Sequence, residues 1–154
     1  MSELFFLIYT SITREPITHD FLQGILISAK KSNSREAISG MLSCRSNHFF
    51  QYLEGPQDKV LNCFERIQKD PRHFQIKQLG TGFIKHRRFE QWDMGYIDEP
   101  ESKSEDLKSL WDLALSQDTN LDNTALFTIL DQFSKDVSIL SYKGDRGSSL
   151  KSKN

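Results

Sequence analysis

The sequence predicts an α+β sandwich of the ferredoxin-like type: a five-stranded mixed sheet with two helices on one face, plus two C-terminal helices. Three observations lead there. Five short runs rich in aromatic and branched residues read as strands, and two intervening runs repeat their apolar residues at helical spacing. The resulting order is β-α-β-β-α-β with one strand appended. A chain in that order buries both helices most simply against one side of a single sheet.

Leu4 to Tyr9 reads as a buried first strand, with Phe5, Leu7 and Tyr9 on one face, and Thr10 to Pro16 as a polar connection. From Thr18 or His19 to about Lys31, Phe21, Leu22, Ile25, Leu26 and Ala29 recur at helical spacing; Gly24 weakens that helix without forbidding it. Residues 37–45 and 48–54 form two strands, joined by a short Arg45-Ser46-Asn47 segment that suits a hairpin. Gly55-Pro56 ends the strand and opens a helix, with proline where its missing N–H costs least. Val60, Cys63, Phe64 and Ile67 give that helix an apolar stripe, and Asp70-Pro71 stops it. Strands at 75–84 and 89–97 follow, the second alternating Trp92, Met94 and Tyr96.

Composition changes after Pro100. Leu107, Leu110, Trp111 and Ala114 mark one amphipathic helix, and Leu126, Ile129, Leu130, Phe133, Val137 and Leu140 another. From Lys143 to Asn154 the chain is small and polar, the composition of a disordered tail.

Composition also excludes several functions. A net charge of −1 gives no global field to recruit nucleic acid or an anionic membrane. Cys44 and Cys63 are far apart, and His19, His48, His73 and His86 are scattered, so no metal-ligand spacing arises. Two cysteines suit a reducing cytoplasm better than a disulfide framework, and read as buried small hydrophobes. No signal peptide opens the chain and no run of 18 apolar residues occurs, so a soluble cytoplasmic protein is expected. Lys85-His86-Arg87-Arg88 reads as a solvated turn, and Glu54, beside Gly55, as a turn or helix-terminus anchor.

One residue does not belong on a core strand. If side chains alternate, Phe49, Gln51 and Leu53 share a face, and an unpaired amide there costs about 1–3 kcal/mol. In this fold the first and third strands are central neighbours under the first helix, so Tyr9 and Gln51 meet on the helix-covered face. Asn33 follows that helix. Tyr9 can donate one hydrogen bond, while Gln51 has one acceptor and two donors. Two readings fit. The pair satisfies itself or a buried water, or its spare capacity points into an apolar slot that a planar heteroaromatic ring would fill.

The chain resembles the BLUF family, the sensors of blue light using FAD, over about residues 3–98. The blocks that carry the resemblance are Ile8-Tyr9-Thr10-Ser11, Asn33 followed by Ile38-Ser39-Gly40-Met41-Leu42, and Phe49-Phe50-Gln51-Tyr52-Leu53-Glu54-Gly55. Ile67-Gln68-Lys69-Asp70-Pro71-Arg72-His73 and Arg88-Phe89-Glu90-Gln91-Trp92-Asp93-Met94-Gly95 complete it. The resemblance implies non-covalently bound FAD, with FMN or riboflavin admissible. It matches Tyr9 to the electron-donating tyrosine, Gln51 to the glutamine between that tyrosine and flavin N5/O4, and Asn33 to the asparagine at the C4 carbonyl and N3 edge. Trp92 and Met94 match the last-strand pair near the glutamine, and Arg72 and His73 a basic pair on the pyrimidine side. Ile25 resembles a ring-contacting position and the Lys30-Lys31 end of the helix a phosphate-side one. Ser32 departs from the pattern, because relatives often carry His, Asn or Arg there; flavin affinity or the C2 carbonyl contact is expected to differ.

The activity so implied is a light-driven hydrogen-bond switch that returns the flavin to its starting redox state, and so not an enzyme. Residues 1–100 would form the flavin-binding domain, 101–142 a helical extension and 143–154 the tail. The residues beyond 100 are too few for a catalytic output domain. Signalling is therefore expected through the last strand and C-terminal helices, in a homo-oligomer and toward a light-dependent protein partner. Two other functions compete: a small ferredoxin-like enzyme, hydrolase or flavin oxidoreductase, for which no nucleophile–base arrangement is evident, and a flavin-free regulatory binding module.

Overall fold

A computed structural model of the protein describes residues 3–89 and 94–98. Its elements are β1 (Leu4–Thr13), α1 (His19–Arg35), β2 (Ser39–Arg45), β3 (His48–Pro56), α2 (Gln57–Gln68), β4 (His73–Ile84) and β5 (Gly95–Asp98). They form one sheet in the order β4-β1-β3-β2-β5. The first four strands pair antiparallel, and β5 adds in parallel to the outer edge of β2, with Met41 opposite Gly95. This is the α+β frame that the element order predicts, with β1 and β3 at its centre.

Alternation along the strands decides what each face holds. Phe5, Leu7 and Tyr9 of β1, Leu42 and Cys44 of β2, and Phe49 and Leu53 of β3 join Val60, Cys63 and Phe64 of α2 in one core cluster. Phe21, Leu22, Ile25, Leu26 and Ala29 of α1 pack against the same cluster, so both helices cover one face. Side chains of the other parity, Phe6, Ile8, Met41, Phe50 and Tyr52, are also buried. There Phe6 stacks on Tyr52 at 5.9 Å, and Phe89 meets the same ring edge-on at 5.3 Å.

Several boundaries differ from the sequence expectation. β1 runs on to Thr13, so Thr10 to Thr13 is strand rather than connection. Thr10, Ser11 and Thr13 are buried, and the backbone is paired to β3 and β4 on both sides. Ladder hydrogen bonds and β-branching hold polar side chains in a strand that hydrophobicity alone does not mark. α1 opens on Thr18, whose Oγ1 accepts from the Phe21 N–H at 3.1 Å. It continues to Arg35, which places Asn33 in the last turn instead of after the helix. That turn closes because the Glu36 N–H donates to the Ser32 and Asn33 carbonyls and the Ile38 N–H to Asn33 as well. Ala37, at φ 58°, then turns the chain into β2, which starts at Ser39 rather than at 37.

The hairpin follows the expected strand ends: Arg45 pairs with His48 across a two-residue Ser46-Asn47 turn with Ser46 at φ 55°. β3 extends through Gly55 to Pro56, so the proline caps α2 rather than occupying its first turn. β4 starts at His73. The last strand covers only Gly95–Asp98, which leaves Phe89 and Met94 outside it. Phe89 is no strand residue because its N–H donates to the Glu54 carboxylate, 2.7 Å away, instead of to a neighbouring strand. Trp92, the two C-terminal helices and the tail lie outside the described residues.

Candidate functional site

Register builds the centre of the site. Tyr9 of β1 and Gln51 of β3 are directly opposite one another, both with side chains on the helix-covered face and both almost fully buried. The Tyr9 hydroxyl donates to Gln51 Oε1. Gln51 Nε2 in turn donates to Met94 Sδ at 3.3 Å. Tyr9, Gln51 and Met94 thus form one chain of hydrogen bonds across the sheet's centre. Among the described residues no buried side-chain nitrogen or oxygen lacks a partner. The pair does satisfy itself, and methionine rather than water takes the amide's N–H.

Phe64 lies 5.4 Å from the Tyr9 ring and His73 6.3 Å from it, edge-on. This packing removes the phenol from water. Burial pushes its pKa far above the usual 10, and Cys63 and Asp70 push it the same way. Tyr9 therefore keeps its proton throughout the physiological range.

Beside this chain a cavity of about 240 Å³ opens between α1, α2 and the sheet. Ile25, Ala29, Leu42, Phe49, Leu53 and Ile67 give it apolar walls. Its polar groups come from Tyr9, Ser28, Ser32, Asn33, Gln51, Cys63, Arg66, Asp70, Arg72 and His73. Apolar walls with convergent amide, hydroxyl and cationic groups are the lining that a planar heteroaromatic ring with hydrogen-bonding edges requires. Tyr9 and Gln51 thus satisfy each other and still border a cavity with apolar walls, and the donor set around it fits a flavin ring.

Of the residues singled out in the sequence, Tyr9, Ile25, Ser32, Asn33, Gln51, Arg72 and His73 are gathered on this cavity. Met94 reaches it through Gln51. Lys30 is not among the lining residues, and Trp92 lies outside the described ones. Asn33 Oδ1 faces the Cys63 thiol at 3.9 Å. Burial raises that thiol's pKa to about 11, with Arg66 opposing the rise and Glu36 adding to it. The basic pair is engaged within the protein. Arg72 forms an ion pair with Asp70 at 2.6 Å, and the hydrogen bonds from Arg72 hold the Asp70 carboxyl below its usual range. His73 Nε2 lies 2.7 Å from the Ile67 carbonyl and Nδ1 2.8 Å from Ser11 Oγ. The carbonyl can only accept, so Nε2 is the donor of that bond, whereas Ser11 Oγ can either give or take a hydrogen bond at Nδ1.

Sequence reasoning missed Ser28, Ala29, Leu42, Phe49, Leu53, Cys63, Arg66, Ile67 and Asp70 as cavity walls. Part of the signal was present. Ile25, Ser28, Ala29 and Ser32 follow the i, i+3, i+4, i+7 spacing of one helix face, and Phe49 and Leu53 flank Gln51 on one strand face. Arg66 sits on exposed helix surface and pairs with Glu36 at 2.8 Å, joining the C-terminal ends of α1 and α2. No periodic pattern marks such a residue.

On the opposite face the basic cluster is more than a solvated turn. Arg87 donates to Ser39 Oγ at 2.9 Å and to the Ala37 carbonyl at 2.6 Å, and the Arg88 N–H donates to Glu54 at 2.8 Å. Glu54 is itself completely buried.

Residues 4–95 match the family model described as BLUF, sensors of blue light using FAD. The chain is similar to the blue light- and temperature-regulated antirepressor BluF of Escherichia coli strain K12, at 33% identity over 92 residues. That alignment covers 60% of this chain and 23% of the other. It is also similar to the photoactivated adenylate cyclase subunit beta of Euglena gracilis, 32% identical over 57% of this chain and 10% of that one. The chain thus spans less than a quarter of the length of these curated relatives. Among solved structures, the dark state of BlrB, a BLUF protein, superposes with a TM-score of 0.72 at 29% identity, covering 86% of this chain and 98% of that one. The photo-activated state of BlsA gives 0.68 at 33% identity, with 85% and 94% covered.

Proposed function

The chain belongs to the BLUF family of blue-light sensors using FAD, and on that premise we propose that it is a photoreceptor whose moving part is the Gln51 amide. When bound in the cavity, FAD supplies absorption of blue light and an excited acceptor for an electron from Tyr9. The protein's own part is the proton and the hydrogen bonds. The Tyr9 hydroxyl, protonated in the dark, is set to pass its proton to Gln51 Oε1, the atom it already touches, as the electron leaves. It would regain both the electron and a proton when the amide settles in its new form, so that no net oxidation remains. Gln51 carries an acceptor on one side of its amide and donors on the other. Rotation or tautomerisation of that amide exchanges what it offers to Tyr9, to Met94 and to the cavity. A change of that kind shifts flavin absorption to the red without a new covalent bond.

The observation that carries this reading is the continuous Tyr9–Gln51–Met94 hydrogen-bond chain beside a cavity with polar groups on apolar walls. In this scheme Asn33, Ser32 and Ile25 hold the ring, Arg72 and His73 border its pyrimidine side, and Lys30 serves the phosphate side. Trp92 acts with Met94 in reporting the state of Gln51. Residues 1–100 sense, the helical extension at 101–142 transmits, and 143–154 is a disordered tail. The five-stranded sheet with its two C-terminal helices forms the signalling unit. The protein works in the cytoplasm without catalysis of its own, as a homo-oligomer that docks a protein partner in a light-dependent way. It engages neither nucleic acid nor membrane; among the described residues no helix is long and apolar enough to cross one.

Absorption spectroscopy tests the reading. The purified protein should be yellow, with a flavin band that moves reversibly to the red under blue light and returns in darkness. A protein that stays colourless after flavin supplementation overturns it.

A further inference from the structure

Glu54 lies on β3 with its side chain directed away from the flavin cavity, and it is completely buried. Each of its carboxylate oxygens accepts two hydrogen bonds. Oε1 takes the Tyr52 hydroxyl at 3.0 Å and the Arg88 N–H at 2.8 Å. Oε2 takes the Ser39 hydroxyl at 2.8 Å and the Phe89 N–H at 2.7 Å. An ionised carboxylate offers about four acceptor sites and no donor, so the four donors around it use its full capacity.

Two of those donors are consecutive backbone N–H groups of the connection between β4 and β5. Bound to both oxygens of one carboxylate, they fix that backbone in position and orientation together. Arg87 reinforces the attachment through Ser39 Oγ and the Ala37 carbonyl, and the Phe89 ring packs on Tyr52. The same connection leads to Met94, which accepts the Gln51 amide on the sheet's other face. Gln51 and Glu54 are three residues apart on β3, so one strand grips this connection twice.

We propose that Glu54 is a positioning residue for the light switch: its carboxylate latches the β4–β5 connection and so keeps Met94 Sδ within reach of Gln51 Nε2. The latch is a property of the fold, whereas its effect on switching rests on the photoreceptor reading. A glutamine at 54 has the same shape but accepts at one atom only. At least one of the Arg88 and Phe89 N–H groups would then lose its acceptor, and the connection would loosen without a cavity being made.

The test uses the full chain and two readouts. NMR-detected amide exchange should show Arg88 and Phe89 protected in the unaltered protein although neither is in a strand, while Lys85 and His86 exchange freely. In Glu54→Gln, one or both protected amides should exchange about tenfold faster or more, with β1 and β3 unchanged. In the same variant, thermal return of the red-shifted band in darkness should change several-fold. That change should disappear when Glu54→Gln is combined with Met94→Leu. Exchange of Arg88 and Phe89 at the rate of Lys85 and His86 in the unaltered protein overturns the latch, even if the variant cannot be purified. A kinetic change that persists in the Met94→Leu background overturns its action through Met94. Unaltered protein lacking flavin or a red shift refutes the photoreceptor reading instead, and the exchange measurement still decides the latch.

Discussion

Tyr9 and Gln51 face each other across the β1–β3 register, and the phenol of one donates to the amide oxygen of the other. That single bond carries the proton in the proposed switch and also pairs two groups that burial would otherwise leave unsatisfied. Tyr9→Phe should therefore retain flavin, because the ring still fills its place, yet show no light-induced red shift. Difference spectra under blue light check this; a full photocycle in the variant would remove Tyr9 as donor.

The same bond predicts a coupling in stability. Tyr9→Phe leaves Gln51 Oε1 without its donor, and Gln51→Leu leaves the Tyr9 hydroxyl without its acceptor. Each should cost about 1–3 kcal/mol in denaturant unfolding. The double variant removes both polar ends, so its cost should fall below the sum of the two by roughly 1 kcal/mol or more. Additive costs would mean that the bond contributes nothing. Gln51→Leu should also abolish the red shift.

Two glycines should respond in opposite ways. A Cβ at Gly40 would run into the Tyr52 carbonyl oxygen on the adjacent strand, so Gly40→Ala must separate β2 from β3. A loss of about 3 kcal/mol or more, or an insoluble protein, is expected. Gly24 lies inside α1 with nothing within 4 Å of its Cβ position. Gly24→Ala should accordingly raise stability by about 0.5–1 kcal/mol. Thermal melts of the two variants decide both cases.

Much of this was legible in the sequence, and the reasons are specific. The facing of Tyr9 and Gln51 follows from strict alternation on two strands that the element order makes neighbours. Asn33 on the cavity follows less directly, since the apolar periodicity of α1 fades before its last turn and the helix end is set by backbone bonds to Glu36 and Ile38. Thr10 to Thr13 looked like a connection because polarity hides a strand whose backbone is paired on both sides. Glu54 beside Gly-Pro reads as a turn anchor because two of its four donors, the Arg88 and Phe89 N–H groups, lie over thirty residues further along the chain. Local pattern predicts local structure and register, but not which distant backbone donors converge on a buried acceptor.

Alkaline pH should expose the thiol in the cavity wall. Burial raises the Cys63 pKa to about 11, whereas an unfolded cysteine titrates near 8.5. The native state thus holds a proton that the unfolded state releases. The stability from this difference is complete below about pH 8.5 and is lost as pH rises toward the native value. The unfolding free energy should fall across that window with a contribution of up to about 1.4 kcal/mol per pH unit from this thiol. Chemical denaturation from pH 8 to 11 should give a shallower decline in Cys63→Ala, and an identical decline would refute the assignment.

β3 alternates between two buried faces, with Gln51 and Leu53 toward the cavity and Tyr52 and Glu54 toward the back of the sheet. The strand is therefore a partition one peptide thick, with the cavity against one side and packed side chains against the other. A change at Gln51 in the proposed switch would meet Tyr52 and Glu54 directly behind the wall, before it reached either end of the strand.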